Sequence, residues 1–202
     1  MKITKMLLMA GAVAALSSCG GDAEVIDQME AIESALTADT ENSSIEWKGM
    51  QTEDYFHKGT VKFQEGSAMF IDGNLVSGAF KVDMKSISVS DELPAEKKTM
   101  LLGDISSEDF FNIAENENVT VSCGPYMDGK LLVTMTISGV EISKSIPAKV
   151  TYADGKGSIT GSFEIDFAAL NAKGFQADPK KPGDTPVSSK VQFELNLLLK
   201  QE

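Results

Sequence analysis

The sequence predicts an all-β protein, one antiparallel barrel of about eight strands with a single short helix, preceded by a helical or flexible tether. Three observations predict it. Short runs alternate apolar and polar residues at period two, repeatedly along the chain. Gly, Asn and Asp turn signals separate the runs, as in Asp72-Gly73-Asn74 and Asp154-Gly155-Lys156-Gly157. From Ser43 onward there are about 160 residues, enough for one domain with a sizeable core. No internal repeat or low-complexity tract interrupts them.

Residues 1–18 are expected to be a targeting segment rather than structure. Lys2 and Lys5 form a basic start, and Met6 to Leu16 is an apolar run too short to span a bilayer. Leu16-Ser17-Ser18-Cys19 matches a lipobox, in which small residues allow cleavage just before the cysteine. The Cys19 thiol would then carry a thioether-linked diacylglycerol, and two or three acyl chains anchor stably where one does not. Residues 19–42 form an acidic tether with no lysine before Lys48. Within it Val25, Met29, Ile32 and Leu36 recur at spacings of four, three and four, one stripe of a helix. The stripe is too short for a coiled coil. It predicts an amphipathic stalk whose acids hold the domain off an anionic membrane surface.

Residues 43–202 supply the barrel. Val61 and Phe63 face one way, Thr60 and Lys62 the other. Val76, Gly78, Phe80, Val82 and Met84 share a side opposite Ser77, Lys81, Asp83 and Lys85. Pro94 suits the first turn of a helix near Glu96 to Leu102, and Met100, Leu101, Leu102 and Ile105 give it an apolar side. Ser107-Glu108-Asp109 is expected to open a capped turn that delivers Phe110 and Phe111 inward as buried residues. Inward faces follow at Val119, Val121 and Cys123, at Leu131, Val133, Met135 and Ile137, and at Ile159, Gly161, Phe163 and Ile165. The last runs through Val191, Phe193, Leu195, Leu197 and Leu199. Ala177 to Pro186, with three prolines and two lysines, is a loop. It and the loop before Pro94 would flank the mouth of a barrel.

Charge and composition exclude several classes of function. The chain has 18 basic and 30 acidic residues. Lys2 and Lys5 leave with residues 1–18, so 16 against 30 remain, a net −14. No arginine occurs, which argues against nucleic-acid binding and against a pyrophosphate clamp. With Cys19 lipidated, Cys123 is a lone thiol that packs as a small apolar group. His57 is the only histidine, read as a strand residue with a hydrogen-bonded ring; Glu53 and Asp54 lie near but no second histidine completes a metal set. No G-x-S-x-G, phosphate-binding glycine loop or H-E-x-x-H is present. Glu108-Asp109 reads as a helix start rather than a catalytic pair. The expectation is no enzyme, no catalytic residue, no metal and no cofactor.

One stretch carries a resemblance. D-G-N-L-V-S-G-A-F-K-V-D-M-K-S-I from Asp72, a turn, a helix with L-L-G, then S-E-D-F-F to Phe111 resembles the YceI family of secreted bacterial proteins. Trp47, His57-Lys58-Gly59, the Leu131–Gly139 segment with its I-S-G-V turn, and Phe163-Glu164-Ile165-Asp166-Phe167 fit as well. The resemblance covers about Ser43 to Lys200. It implies a lipocalin-like barrel and an association with polyisoprenoid lipids. Phe167 stands where an arginine is usual, and Asn118 where a proline is usual.

Together these features lead to a lipid-anchored envelope protein that sequesters or carries an isoprenoid or quinone-like molecule in a barrel cavity. The candidate lining is Phe63, Phe80, Val82, Phe110, Phe111, Met135, Phe163 and Phe193. Gly78 and Gly161, in mid-strand, would mark a bend or the close approach of a ligand. The polar end is expected near the Ala177–Pro186 loop. It would be neutral rather than a pyrophosphate, although Lys180 and Lys181 offer point charges. Gly20 after Cys19, rather than Asp, suggests the outer membrane of a Gram-negative bacterium, on either side of it. The alternative is a structural or interaction lipoprotein with a filled barrel and no small-molecule ligand. A continuous apolar tunnel separates the first from the second; the sequence leaves the oligomeric state open.

Overall fold

The computed structural model describes residues 31–177, 180 and 185–201. The targeting segment, Cys19, Val25, Met29 and Lys181 lie outside them. The elements in chain order are β1 (Glu33–Ala38), β2 (Ser44–Met50), β3 (Phe56–Ile71), β4 (Asn74–Val89), α1 (Ala95–Ser106), β5 (Asn118–Met127), β6 (Lys130–Ile137), β7 (Val140–Pro147), β8 (Lys149–Ala153), β9 (Lys156–Asp166) and β10 (Lys190–Lys200). Short 3-10 turns at Ala168–Leu170 and Lys173–Phe175 lie between β9 and β10. All ten strands join one antiparallel sheet that curls into a barrel.

Ten strands exceed the expected eight because two staves of the barrel are interrupted. β1 and β2 run end to end between β3 and β10, β1 pairing Leu36 with Ala68 and β2 pairing Trp47 with both Gly59 and Phe193. In the gap between them the Ser43 hydroxyl stands in for strand backbone, accepting the Leu198 N–H at 2.9 Å. β7 pairs with β6 and passes through Ala148 into β8, which pairs with β9. The Lys144 ammonium spans the remaining seam to the Glu164 carbonyl at 2.5 Å. Counted as staves, the ring has eight positions.

The last part of the expected stalk, from Glu33 to Ala38, is a strand of the barrel instead of a helix. Leu36 is fully buried in β1, and Ile32 of the same stripe is 70% exposed. A spacing of four, three and four says nothing about a strand, in which Leu36 instead faces Ala68 across a ladder. The sheet therefore begins ten residues before Ser43.

Four hairpins, at Asp72-Gly73, Asp128-Gly129, Ser138-Gly139 and Asp154-Gly155, have both turn residues at positive φ. That twist matches the twist of the strands they join. Bulges adjust the long β3–β4 ladder. The register steps by one residue between Phe63 and Glu65, which moves the inward set from Val61 and Phe63 to Gly66, Ala68 and Phe70. A second step between Met69 and Phe70 displaces Val76, so Leu75 rather than Val76 is buried there. Simple alternation cannot see an extra residue.

α1 is longer than Glu96–Leu102 and buries no residue; Pro94 is its N-cap rather than a first-turn residue. Leu101, Leu102 and Ile105 are half-buried, whereas Met100, expected on the apolar side, is 69% exposed. The segment Ser107-Glu108-Asp109 closes α1 rather than opening a helix. The Ser107 hydroxyl donates to the Asp104 carbonyl and accepts the Asp109 N–H. Among the described residues no helix is long and apolar enough to cross a membrane.

Candidate functional site

Inward side chains fill one end of the barrel and leave the other open. At the filled end Phe70, Leu36 and Leu75 are essentially inaccessible. Phe70 stacks on Tyr152 at 5.0 Å, and the Tyr152 hydroxyl donates to Ser34 at 2.8 Å. Toward the other end the side chains do not meet, and a cavity of about 430 Å3 remains. That volume lies within the ~300–1,000 Å3 typical of small-molecule sites.

The structure places all eight candidate lining residues around this cavity. Phe63 and Phe80 meet edge to face at 5.9 Å, and Phe163 stacks on Phe193 at 5.7 Å. Val82 on β4 and Met135 on β6 line it from either side of β5. Phe110 and Phe111 are half-buried rather than buried, because they edge the mouth instead of entering the core. Phe110 lies on the bare face of Gly174 and meets Phe175 edge to face at 5.3 Å; Phe111 meets Phe167 at 5.4 Å.

Sequence reasoning misses Phe167 and Phe175 as lining residues. Phe167 continues the inward series of Phe163 and Ile165, so extending the alternation would find it. It is buried among aromatic rings where relatives of the resembled family are expected to offer a cation. Phe175 sits on a 3-10 turn and has no periodic signal. Gly78 and Gly161 make room for protein, not for a guest. A Cβ on Gly78 would meet the Phe80 ring at 2.7 Å and the Cys123 sulfur at 2.8 Å, and one on Gly161 the Pro147 carbonyl at 2.6 Å.

The mouth is more polar than the rest. Gln51, Tyr55, His57 and Asp104 edge it, with Leu101 and Ile105 of α1. His57 Nδ1 lies 2.6 Å from Asp91 Oδ2, and Asp91 Oδ1 accepts the Lys58 N–H at 3.2 Å. The ring is thus a hydrogen-bonded strand residue, with Asp91 rather than Glu53 or Asp54 as partner. The Gln51 amide donates to the Thr185 carbonyl, and the Ser188 N–H to the Met50 carbonyl at 2.8 Å. These bonds lay the far end of the Ala177–Pro186 loop along β2. Cys123 faces the cavity, and burial pushes its thiol up to about 11, which keeps it protonated and unreactive at neutral pH. Among the described residues no group of three or more His, Cys, Asp or Glu is placed to hold a metal.

Comparison with known proteins agrees with this architecture. The YceI-like domain model matches residues 36–199. No curated protein matches the chain. The fold is similar to that of a polyisoprenoid binding domain from Saccharophagus degradans implicated in plant cell wall breakdown, at 13% identity and TM-score 0.59, covering 83% of this chain and 98% of that one. It is similar to Burkholderia cenocepacia BcnA at 17% identity and TM-score 0.54, covering 80% and 98%. It is also similar to the YCEI protein of Campylobacter jejuni at 14% identity and TM-score 0.51, covering 69% and 83%. At such identities the likeness concerns the fold.

Proposed function

Because the chain belongs to the YceI-like domain family, we propose that its barrel holds one apolar chain, of an isoprenoid or quinone-like molecule, and sequesters or carries it at the cell envelope. The observation that carries this reading is the cavity, blind at the Phe70 end and lined almost wholly by aliphatic and aromatic side chains. Such a lumen rewards a hydrocarbon with about 0.8 kcal/mol for each methylene taken from water. The similar Saccharophagus degradans protein is a polyisoprenoid binding domain, which supports the same class of guest. The role is binding rather than catalysis, since what the lumen offers is apolar surface. Phe167 at the mouth and the absence of arginine favour a neutral head group. The filled-barrel alternative requires side chains that close the lumen, and these do not.

The anchoring part of the proposal rests on the lipobox. Cys19 is acylated, and the domain is held at a membrane surface, the outer membrane being favoured by Gly20. Protein purified from its own host should show a bound species in native mass spectrometry that lipid extraction removes. If nothing co-purifies, and the stripped protein binds no isoprenoid or quinone above the level of an unrelated protein, the binding reading fails.

A further inference from the structure

We propose that the mouth contains a head-group site for an alcohol, with the His57 imidazole as the acceptor that selects it; the proposal rests on the cavity reading above. Gly49 is paired directly with His57 across β2 and β3 and also borders the cavity. A Cβ built on Gly49 meets nothing within 4 Å. The wall beside His57 is therefore an empty recess, unlike Gly59, where the Ser88 carbonyl already occupies the position at 1.7 Å.

The chemistry of the recess follows from Asp91. A carboxylate can only accept, so Asp91 accepts the Lys58 N–H and, facing a neutral imidazole, the His57 Nδ1–H. The proton of the neutral imidazole is thus fixed on Nδ1, and Nε2 keeps its lone pair. Nε2 has no partner among the described residues. A free acceptor beside an empty recess suits a hydroxyl, a small neutral group that can donate to it. A carbonyl or an ether has no proton to give Nε2. A phosphate would set its charge beside Asp91 and Asp104, with no arginine to offset it.

Trp47 is the only tryptophan in the sequence and borders the cavity, so its fluorescence reports occupancy. The full chain should be titrated with farnesol, farnesyl methyl ether, farnesene and farnesyl phosphate. Farnesol should bind about five-fold more tightly than the ether, the worth of one neutral hydrogen bond. His57→Phe should bring farnesol to the level of the ether and leave farnesene unchanged. Gly49→Val, which fills the recess without touching the imidazole, should weaken farnesol more than farnesene. If His57→Phe weakens farnesol and farnesene by the same factor, or farnesyl phosphate binds as well as farnesol, the alcohol site is wrong and the apolar cavity stands. If none of the four binds, both readings fall.

Discussion

Gly66 and Phe80 offer a sharp test of the barrel wall. They pair directly across β3 and β4, and the Phe80 ring lies over the bare Gly66 backbone. A Cβ on Gly66 would stand 2.2 Å from Phe80 Cδ1 and 3.0 Å from the Ala79 carbonyl. Gly66→Ala alone should therefore overpack the wall, at a cost of about 1–3 kcal/mol. Phe80→Ala alone removes a ring that is only 7% exposed and leaves two glycines, Gly66 and Gly78, which have nothing with which to refill the space. It should cost about 3–5 kcal/mol. In the double variant the clash with the ring is gone, only the tight approach to the Ala79 carbonyl remains, and the new methyl occupies part of the vacated volume. Its stability should match or exceed that of Phe80→Ala, so the two changes fall short of additivity by about 1–3 kcal/mol. Urea unfolding of the four proteins measures the cycle. Additive losses would mean that Gly66 does not face Phe80, and would refute both the register step after Phe63 and the wall built on it.

Four further outcomes are expected. Phe163→Trp, at a half-buried ring that borders the lumen, should block binding of a fluorescent isoprenoid while changing stability by no more than about 1 kcal/mol; retained binding would show that the guest lies elsewhere. Cys19→Ala should yield soluble protein or an uncut precursor, and a correctly cut variant that still partitions into membranes would end the anchor proposal. In that Cys19→Ala background, Cys123 should resist iodoacetamide at pH 8 until urea is added, because burial holds its pKa at about 11; rapid alkylation of the folded protein would contradict this. The Ser189 hydroxyl and then the Ala168 N–H hold the Asp166 carboxyl below the usual carboxylate range. The stability this contributes is whole above that range and is lost as pH falls through the lowered value, so Asp166→Asn should flatten the acid limb of the stability curve; an unchanged limb would place the effect elsewhere.

The sequence showed this molecule best where one wall alternates cleanly. The inward faces of β6, β9 and β10 stand as period two predicts, and all eight candidate lining residues surround the cavity. It showed least where long-range geometry decides. Leu36 belongs to a strand because Ala68 and the β10 ladder lie beside it, and neither can be read from its helical spacing. Leu75 displaces Val76 because β4 carries one residue more than β3 at that point. The partner of His57 is Asp91, 34 residues away, not the acids just before it. The mid-strand glycines do mark places of close approach, but the visitor is Phe80 or a carbonyl of the neighbouring stave. No local pattern distinguishes a ligand from another part of the same chain.

The interrupted β1–β2 stave has a bearing on timing. Thr37 bonds to Lys200 across 163 residues, and β10 brings Val191, Phe193, Leu195 and Leu197 to the lumen. Contacts so distant along the chain form late, since each must overcome the entropy of closing a long loop. Until β10 is seated, one wall of the cavity is missing, and β2 and β9 present open edges in its place. A guest thus has no container on a partly folded chain. On the proposed reading, loading therefore follows folding and cannot accompany it.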